Sequence, residues 1–321
     1  MLAILCPGQG SQSPGFLTPW LDVPGVSDHL GALSEVAGVD LLRHGTVSDE
    51  ETIRDTAVAQ PLIVAAGLVA ARVLLGDTPL TSATVVAGHS VGELTASAIA
   101  GALTEQDAVA LVRTRAQSMA RAAAATPTGM SAVLGGDPAD VAASLKRHGL
   151  TAANANGGGQ TVAAGTLEQL ASLAADPPQK ARVIPLKVAG AFHTNHMAPA
   201  VEALEALRPS LSPAEPLATL LSNYDGEPVA SGELNLDSLI AQISRPVRWD
   251  LCMQRLQDMG VSGVLELPPA GTLTGLAKRG MRGTASLAVK TPEDIDNARD
   301  FMEEHSRTAP PADAPIVKGN A

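Results

Sequence analysis

The chain has 321 residues, with 22 basic and 33 acidic side chains that give a formal net charge of −11 at pH 7. This charge argues against general binding of nucleic acid or anionic membranes. Hydrophobic residues make up 45% of the chain and aromatic residues only 2%. This composition is typical of a helix-rich α/β protein, and the length allows one large domain or one with an insertion.

Signals for export, membrane insertion and metal binding are missing from the sequence pattern. The N-terminus lacks the basic start of a signal peptide, and no apolar run reaches 18 residues. Cys6 and Cys252 have the spacing of neither a disulfide framework nor a metal site. We therefore expect a soluble cytoplasmic protein without a bound metal.

The first predicted strand covers residues 2–6. A polar, glycine-rich loop follows it, with the sequence Pro7-Gly-Gln-Gly-Ser-Gln12. Open α/β sheets bind ligands in loops at the carboxyl ends of their strands, so this segment is either a ligand-binding loop or an ordinary turn. It is not a P-loop, because the Gly-Lys-Ser/Thr ending is missing.

A long apolar segment begins near Gln60 and Pro61. Proline favours the first turn of a helix, where its missing N–H costs no hydrogen bond, so we predict that a helix starts here. Gln60 is accordingly interpreted as a helix-start residue rather than a ligand contact.

A second buried strand is predicted over residues 84–87, and a helix from about Glu93. Between them lies Gly88-His-Ser-Val-Gly92, which matches the pattern G-x-S-x-G. In a strand–turn–helix context this pattern holds the serine at the tip of a sharp elbow, where the free N–H groups of the helix face a developing negative charge. We favour Ser90 as a nucleophile over a structural glycine-rich turn.

The next predicted helix covers residues 108–119, with Thr104 as its N-cap. Arg113 and Arg115 are two positions apart, so they lie on different faces of this helix. A solvated surface is the ordinary explanation for either arginine.

The segment after a composition break at residues 122–129 follows a different pattern. Strands at 130–134, 151–156 and 160–164 and a last one at 181–188 alternate with helices at 138–147 and 167–175. This β-α-β-β-α-β order is the ferredoxin-like arrangement. Asn154, Asn156 and Gln160 are interpreted chiefly as turn residues, with Asn156 a weaker candidate for a ligand cleft.

A serine nucleophile needs a general base within hydrogen-bond reach. The sequence has seven histidines, and its pattern alone does not choose among them. Hydrolases with an elbow of this type place an acid between the serine and the histidine in chain order. We find no Asp or Glu that fills this place in a defensible position.

The two glycine-rich segments, Pro7 to Gln12 and Gly88 to Glu93, together resemble the malonyl-CoA:acyl carrier protein transacylase family. The acyltransferase domains of polyketide synthases are similar. Matching segments also occur around Phe192, in the run from Gln242 to Trp249, and after Glu266, so the resemblance covers about residues 2–283.

This resemblance implies an α/β fold with a hydrolase-like core that contains a parallel sheet and a nucleophile elbow. The core is expected over residues 1–125 and 190–283, with an inserted ferredoxin-like α+β subdomain over residues 126–189. Residues 284–321 are expected to form a C-terminal acidic segment and a disordered tail. Pro268 and Ala270 stand where the family usually has glycines, which leaves the local loop geometry open.

The resemblance also implies a catalytic machinery. Ser90 is the nucleophile and His193 the general base, with the backbone N–H groups of Gln9 and Val91 as the oxyanion hole. A main-chain carbonyl near Gln242 orients the histidine, so we expect a Ser-His dyad instead of a triad.

Further roles concern the substrate. Arg115 is expected to bind the malonyl carboxylate, because a planar guanidinium pairs with a carboxylate through two parallel hydrogen bonds. Gln242 is expected to be close by, Phe192 to disfavour a methyl group on the malonyl α-carbon, and His89 to tune the cleft. A methyl-sized distinction is worth only about 1–3 kcal/mol.

The implied reaction is ping-pong transfer of malonyl from coenzyme A to acyl carrier protein in fatty-acid synthesis, by a monomer without metal or redox cofactor. A discrete malonyl acyltransferase of a polyketide pathway is the nearest alternative. A serine hydrolase or thioesterase would instead require a buried acid near His193. A non-catalytic scaffold for carrier proteins is the third possibility.

Overall fold

Two five-stranded sheets organise residues 1–306, which are the residues that the computed structural model describes. The strands are β1 (Leu2–Cys6), β2 (Thr84–Gly88), β3 (Thr128–Gly135), β4 (Thr151–Gly157), β5 (Gln160–Thr166), β6 (Ala181–Pro185), β7 (Thr219–Leu221), β8 (Val247–Arg248), β9 (Gly263–Glu266) and β10 (Ala285–Ala288). The α-helices are α1 (Val26–Ala37), α2 (Leu41–Thr46), α3 (Glu50–Arg54), α4 (Thr56–Leu75), α5 (Gly92–Ile99), α6 (Glu105–Ala125), α7 (Pro138–Arg147), α8 (Leu167–Ala175), α9 (Ala198–Leu207), α10 (Gly232–Ala241), α11 (Trp249–Asp258), α12 (Thr272–Gly280) and α13 (Ile295–Ser306).

The first sheet has the strand order β10-β9-β1-β2-β7, and all its neighbours are parallel. Strands β1 and β2 are buried along their whole length. Their continuous apolar sequences suit a parallel sheet that is covered on both faces. The structure thereby confirms the predicted α/β fold with a parallel sheet. Cys6 pairs with Gly88, so the loops that follow β1 and β2 leave the sheet side by side.

The first sheet continues beyond residue 283, where the predicted core ended. Strand β10 pairs with β9, and α13 packs against α4 and β9. The acidic composition of this segment predicted an acidic segment outside the core. Its acidic side chains are mostly exposed, whereas Ile295, Ala298 and His305 on the inner side of α13 are buried. The predicted disordered tail falls on residues 307–321, which lie outside the described residues.

The second sheet has the order β6-β3-β5-β4-β8. Strand β3 is antiparallel to β5 and β6, and β4 is antiparallel to β5. The chain passes through β3, α7, β4, β5, α8 and β6 in the order that the sequence pattern predicts. The short strand β8 comes from a later part of the chain and pairs in parallel with β4.

Two helix boundaries differ from the prediction. Helix α6 runs to Ala125, well into the predicted break, because alanine is the strongest helix former. Helix α4 begins at Thr56, where the carboxylate of Asp55 accepts the N–H of Ala57. This cap starts the helix a full turn early, so Pro61 lies inside it and the predicted start at this proline is wrong.

Among residues 1–306, α4 is the one helix whose length and composition would allow it to cross a membrane. However, 78% of its most apolar window is buried inside the protein. Helix α4 packs against α5 and α6, so its apolar surface forms part of the core.

Candidate active site

The sharp elbow between β2 and α5 presents Ser90. A Cβ atom on Gly88 would collide with the backbone of Gly92, and one on Gly92 would collide with the carbonyl of Cys6. The two glycines are therefore required for close backbone approach. The left-handed conformation falls on Ser90 itself, whose φ is 55°, a strained value for a residue with a side chain.

Ser90 and His193 form a hydrogen-bonded pair. The Ser90 Oγ lies 2.7 Å from Nε2 of His193, and the Nδ1 of His193 lies 2.9 Å from the carbonyl oxygen of Gln242. Because a carbonyl oxygen only accepts, Nδ1 carries the imidazole proton, and Nε2 accepts the serine hydroxyl. This geometry allows His193 to remove the Ser90 proton.

The imidazole of His193 is buried, and its surroundings favour the neutral form. Burial first, and then the positive charge of Arg115, lower the pKa of His193 from 6.5 to about 3. A neutral imidazole is the form that accepts a proton, so His193 is available as a base at physiological pH.

The guanidinium of Arg115 lies directly behind the nucleophile, and this residue is only 2% exposed. It donates to Oε1 of Gln60 at 2.6 Å, to Oε1 of Gln242 at 3.0 Å and to Oγ of Ser90 at 3.3 Å. Burial lowers the pKa of Arg115 to about 10 while the nearby Glu93 opposes this shift, so the guanidinium is charged at neutral pH. Its direct partners are all neutral oxygens.

The interpretation of Gln60 as a helix-start residue is wrong. Because α4 starts at Thr56, Gln60 lies in its second turn and is buried beside Arg115. Its amide also points to Gln9, with Nε2 at 3.4 Å from Oε1. Gln60 therefore belongs to the site.

The predicted oxyanion hole consists of two backbone N–H groups, one next to Ser90 in the chain and one in the loop that lines the same cavity. Within residues 1–306, the N–H groups of Gln9 and Val91 have no hydrogen-bond partner in the protein. The N–H of Ser90, by contrast, donates to Oδ1 of Asn223 at 2.7 Å. The two free donors come from the loop after β1 and the start of α5, which are neighbours because β1 and β2 are paired.

A cavity of about 230 Å³ opens in front of Ser90 and is lined by residues from the loops after β1 and β2 and by residues of the second sheet. Phe192 and His89 are part of its wall. The other lining residues include Gln9, Gln60, Met119, Met130, Asn154, Asn156, Gln160, Val162, His193 and Leu273.

The interpretation of Asn154 and Asn156 as turn residues is also wrong, because both lie within β4 and are buried. Asn156 Oδ1 lies 2.9 Å from Nε2 of His89. The His89 ring packs edge-on against the ring of Trp249, with the two ring centroids 5.6 Å apart. Burial lowers the pKa of His89. The hydrogen bond between His89 and Asn156 joins the elbow to the second sheet. Gln160, at the start of β5, also lines the cavity.

Sequence reasoning assigned no role to two residues that hold the elbow, Glu93 and Asn223. Asn223 bridges the elbow, since its side chain accepts the Ser90 N–H and donates to the Gly88 carbonyl. Glu93 accepts the backbone N–H of Asn223 and the side-chain amide of Gln242. The available signal was a carboxylate directly after the G-x-S-x-G pattern, in the first turn of an apolar helix.

The loop that contains Pro268 and Ala270 is held in place by hydrogen bonds to Glu266, the last residue of β9. The Glu266 carboxylate accepts the N–H groups of Gly271, Leu273 and Thr274 at 2.8–2.9 Å. The Pro268–Pro269 peptide bond is cis. This loop therefore forms without glycines at the two usual positions, and it brings Leu273 to the cavity.

In the described part of the chain, no group of three or more His, Cys, Asp or Glu side chains is arranged to hold a metal ion. The site consists of a serine–imidazole pair, a buried guanidinium and two free N–H groups. Chemically, it can form and break an ester on Ser90 while it binds an anion beside it.

Comparisons with known proteins agree with this geometry. The family model described as "Acyl transferase domain" matches residues 4–313. The malonyl CoA-acyl carrier protein transacylase of Mycobacterium tuberculosis H37Rv is 54% identical over 297 residues, which are 92% of this chain and 98% of that protein.

Solved structures are similar over nearly the whole chain. The crystal structure of MCAT from Mycobacterium tuberculosis has 52% identity and a TM-score of 0.88, and the match covers 93% of this chain and 99% of that one. A malonyl-transacylase solved in complex with its type II PKS acyl-carrier protein has 28% identity and a TM-score of 0.85, with the same coverage of 93% and 99%.

Proposed function

The chain belongs to the acyl transferase domain family, and we propose that it moves malonyl from malonyl-CoA to the pantetheine thiol of an acyl carrier protein through a malonyl-serine intermediate. It is an acyltransferase of the malonyl CoA-acyl carrier protein transacylase type. The observation that carries the proposal for this chain is the buried Arg115 guanidinium, which contacts Ser90 and has only neutral direct partners.

In the first half-reaction, His193 Nε2 takes the proton of Ser90 as Oγ attacks the thioester carbonyl of malonyl-CoA. The N–H groups of Gln9 and Val91 stabilise the tetrahedral oxyanion. When the carbon–sulfur bond breaks, the imidazolium returns its proton to the departing coenzyme A thiolate. The product is a malonyl ester on Ser90, and His193 is again neutral.

The second half-reaction runs through the same groups. The pantetheine thiol of the carrier gives its proton to His193 and attacks the malonyl ester. As the ester bond breaks, His193 returns the proton to Oγ of Ser90. The malonyl group leaves as a carrier thioester, and the free enzyme is restored.

Donor selection follows from two side chains beside Ser90. Arg115 pairs with the free carboxylate of malonate, whereas an acetyl group leaves the buried cation without a charged partner. Phe192 in the cavity wall disfavours a methyl group on the α-carbon, at a discrimination of about 1–3 kcal/mol. His89 shapes the cleft and takes no proton.

We further propose that the chain is a hydrolase-like core with an inserted ferredoxin-like subdomain. The parallel first sheet with its elbow supports the first part. The antiparallel order β6-β3-β5-β4 supports the second, with the insert at about residues 126–189. The core then consists of residues 1–125 and the residues from 190 through α13, which extends the predicted boundary.

The bond from His193 Nδ1 to a carbonyl oxygen supports a Ser-His dyad. A hydrolase triad would place a carboxylate at this nitrogen. The buried carboxylate of Glu93 instead binds Asn223 and Gln242. This arrangement favours the transferase over the serine hydrolase or thioesterase.

Intact-protein mass spectrometry after mixing with malonyl-CoA tests the proposed reaction. We expect a malonyl adduct that maps to the Ser90 peptide, is absent from a Ser90→Ala variant and is discharged to the thiol of added carrier protein. An adduct that is lost to water at the same rate with and without carrier would show a hydrolase. A protein that forms no adduct would contradict the proposal.

The pathway depends on the carrier protein. We propose fatty-acid synthesis, and the structural likeness to a malonyl-transacylase bound to a type II PKS acyl-carrier protein supports the polyketide alternative. Discharge rates of the malonyl adduct to one carrier of each kind decide between them. A monomer in the cytoplasm, without nucleic-acid or membrane partners and without a metal or redox cofactor, remains a prediction.

A further inference from the structure

A buried carboxylate lies behind the nucleophile and takes no part in the steps above. Glu93 is 3% exposed in the first turn of α5. One carboxylate oxygen accepts the N–H of Asn223, and the other accepts Nε2 of Gln242. Glu93 is not among the residues that line the cavity, so it acts through its partners.

The side-chain amide of Gln242 has two ends with opposite hydrogen-bonding properties. A carboxylate only accepts and a guanidinium only donates, so the NH₂ group must face Glu93 and the Oε1 must face Arg115. The distance of 3.0 Å from Arg115 Nη2 to Gln242 Oε1 agrees with this orientation. Glu93, Arg115 and the carbonyl of Ser90 thereby all favour the same orientation of the Gln242 amide.

We propose that Glu93 is a positioning residue for the donor carboxylate, because it offsets the charge of Arg115 through Gln242 instead of by a direct ion pair. The proposal rests on the proposed malonyl transfer. A carboxylate in direct contact with Arg115 would occupy the donors that the substrate needs. Burial raises the pKa of Glu93 to about 8, and the backbone N–H of Asn223 and the positive charge of Arg115 oppose this shift. Both carboxylate oxygens accept hydrogen bonds, which is the pattern of the ionised form. With a neutral amide between them, the two charges lie in one buried network while the guanidinium still favours a carboxylate ligand.

The same network holds the dyad. The carbonyl of Gln242 accepts the Nδ1 proton of His193, and the side-chain amide of Gln242 also donates to the Ser90 carbonyl at 3.2 Å. Asn223, whose N–H is bound to Glu93, accepts the Ser90 N–H. A test must therefore separate an effect on the binding of the substrate carboxylate by Arg115 from an effect on the arrangement of Ser90 and His193.

The isosteric variant Glu93→Gln makes this separation. Its amide oxygen can keep the bond from Asn223, but its NH₂ group then faces the NH₂ group of Gln242. Either the two NH₂ groups stay face to face, or Gln242 turns over, gives up its bond to the Ser90 carbonyl and directs NH₂ towards Arg115. We expect kcat/KM for malonyl-CoA to fall about 10–100-fold, chiefly through KM, since a mismatched buried donor costs about 1–3 kcal/mol.

The rate at which an uncharged phosphonate labels Ser90 measures the reactivity of the Ser90–His193 pair, without a contribution from carboxylate binding by Arg115. We expect Glu93→Gln to slow labelling several-fold less than it slows malonyl transfer. Glu35→Gln, at an exposed position, is the matched control and should change neither rate. Equal losses in labelling and malonyl transfer would show a merely structural role for Glu93 and overturn the proposal.

The double variant Glu93→Gln with Gln242→Glu exchanges the carboxylate and the amide. The bonds of residue 93 to Asn223 and to residue 242, and the bond from Arg115 to residue 242, can form again, whereas the bond from residue 242 to the Ser90 carbonyl is lost. The carboxylate now lies directly on Arg115. We expect Glu93→Gln to lower the melting temperature and the double variant to recover part of this loss, while the ratio of malonyl to acetyl transfer in the double variant stays at least tenfold below the parent value.

Two further results would overturn the inference. Parental malonyl transfer by either Glu93→Gln or the double variant would show that the position of the charge is irrelevant, although the proposed function would stand. A parent protein that forms no malonyl-serine would overturn the proposed function and the role of Glu93 together. Measuring the parent protein first distinguishes these cases.

Discussion

The two members of the proposed dyad share an unusual backbone conformation. Ser90 and His193 have φ values of 55° and 59°, in a region that costs about 1–3 kcal/mol for a residue with a side chain. The side chain of Asn223 accepts the backbone N–H of Ser90, and the carbonyl oxygen of Gln242 accepts the Nδ1 proton of His193. The strain is therefore concentrated where two side chains must point at each other across the cavity.

The lowered pKa of His193 has a consequence for the pH dependence of acylation. With a pKa of about 3, the imidazole is neutral and able to accept a proton at any higher pH. We expect single-turnover acylation of Ser90 by malonyl-CoA to stay constant from about pH 5 to about pH 7 and to fall only as pH approaches the lowered pKa. A fall centred near pH 6.5, the ordinary histidine value, would contradict this burial effect.

Arg115→Ala tests whether Arg115 binds the malonyl carboxylate. Removal of one partner of a buried charge pair costs about 4 kcal/mol, so malonyl transfer should fall about a thousandfold. Transfer of acetyl should fall much less, because acetyl has no carboxylate to lose. The measurement is kcat/KM for both donors.

Arg115→Lys is the matched control for the charge. It keeps a cation without the planar fork, so its malonyl rate should lie between those of the parent and the alanine variant. Equal losses for malonyl and acetyl donors in Arg115→Ala would contradict the proposed binding of the malonyl carboxylate by Arg115.

Among the elements, α12 depends on a carboxylate from a neighbouring strand. Its N-cap residue is Gly271, which offers no side-chain cap, and the N–H groups of its start donate to Glu266 instead. The strand β9 and the helix α12 are thereby joined at one buried side chain. Since Leu273 lines the cavity, this capping also positions part of the substrate wall.

Glu266→Gln replaces one acceptor oxygen with an NH₂ group that faces backbone donors. We expect a loss of about 2 kcal/mol in the free energy of unfolding, measured by denaturant titration, with a raised KM for malonyl-CoA. Glu202→Gln, at an exposed position on α9, is the control and should change neither quantity. Unchanged stability of Glu266→Gln would refute the role of this cap.

At the scale of the molecule, the cavity exists because two sheets meet. Strand β8 pairs with β4, and His89 of the elbow binds Asn156 of β4. The segments that follow β1 and β2 of the first sheet contribute Ser90 and the proposed oxyanion donors, while the second sheet contributes β4 and β5. Neither sheet alone encloses the cavity.

The last elements of the chain are part of the core, which a truncation would show. A chain that ends at Gly283 loses β10, α13 and buried Val289 and Ile295. Each such side chain contributes about 1.5–3 kcal/mol, a large part of a typical total stability of about 5–15 kcal/mol.

We therefore expect the chain that ends at Gly283 to lose cooperative thermal unfolding, measured by calorimetry. The control is a chain that ends at Ser306 and keeps every described element. If the shorter chain melts like the control, the extension of the core beyond residue 283 is energetically unimportant.

Local pattern was sufficient for much of the architecture and for the chemical groups of the site. The apolar runs of β1 and β2, the strand–elbow–helix motif around Ser90 and the strand–helix order of the second sheet are properties of short segments. Their residues carry the required periodicity and turn chemistry by themselves. The choice of His193 and Arg115 needed the family resemblance, because seven histidines and two neighbouring arginines looked alike in the pattern.

Tertiary structure alone decided the partners of these groups. Gln60, Glu93 and Asn223 are ordinary polar residues in the sequence, and each becomes part of the site because a helix or strand distant in the chain buries it beside a charge or a backbone donor. Residues 284–306 likewise have the composition of an acidic segment outside the core, whereas α13 buries its inner face. Burial and the match of donors to acceptors depend on the neighbours that packing supplies, and a linear pattern does not contain those neighbours.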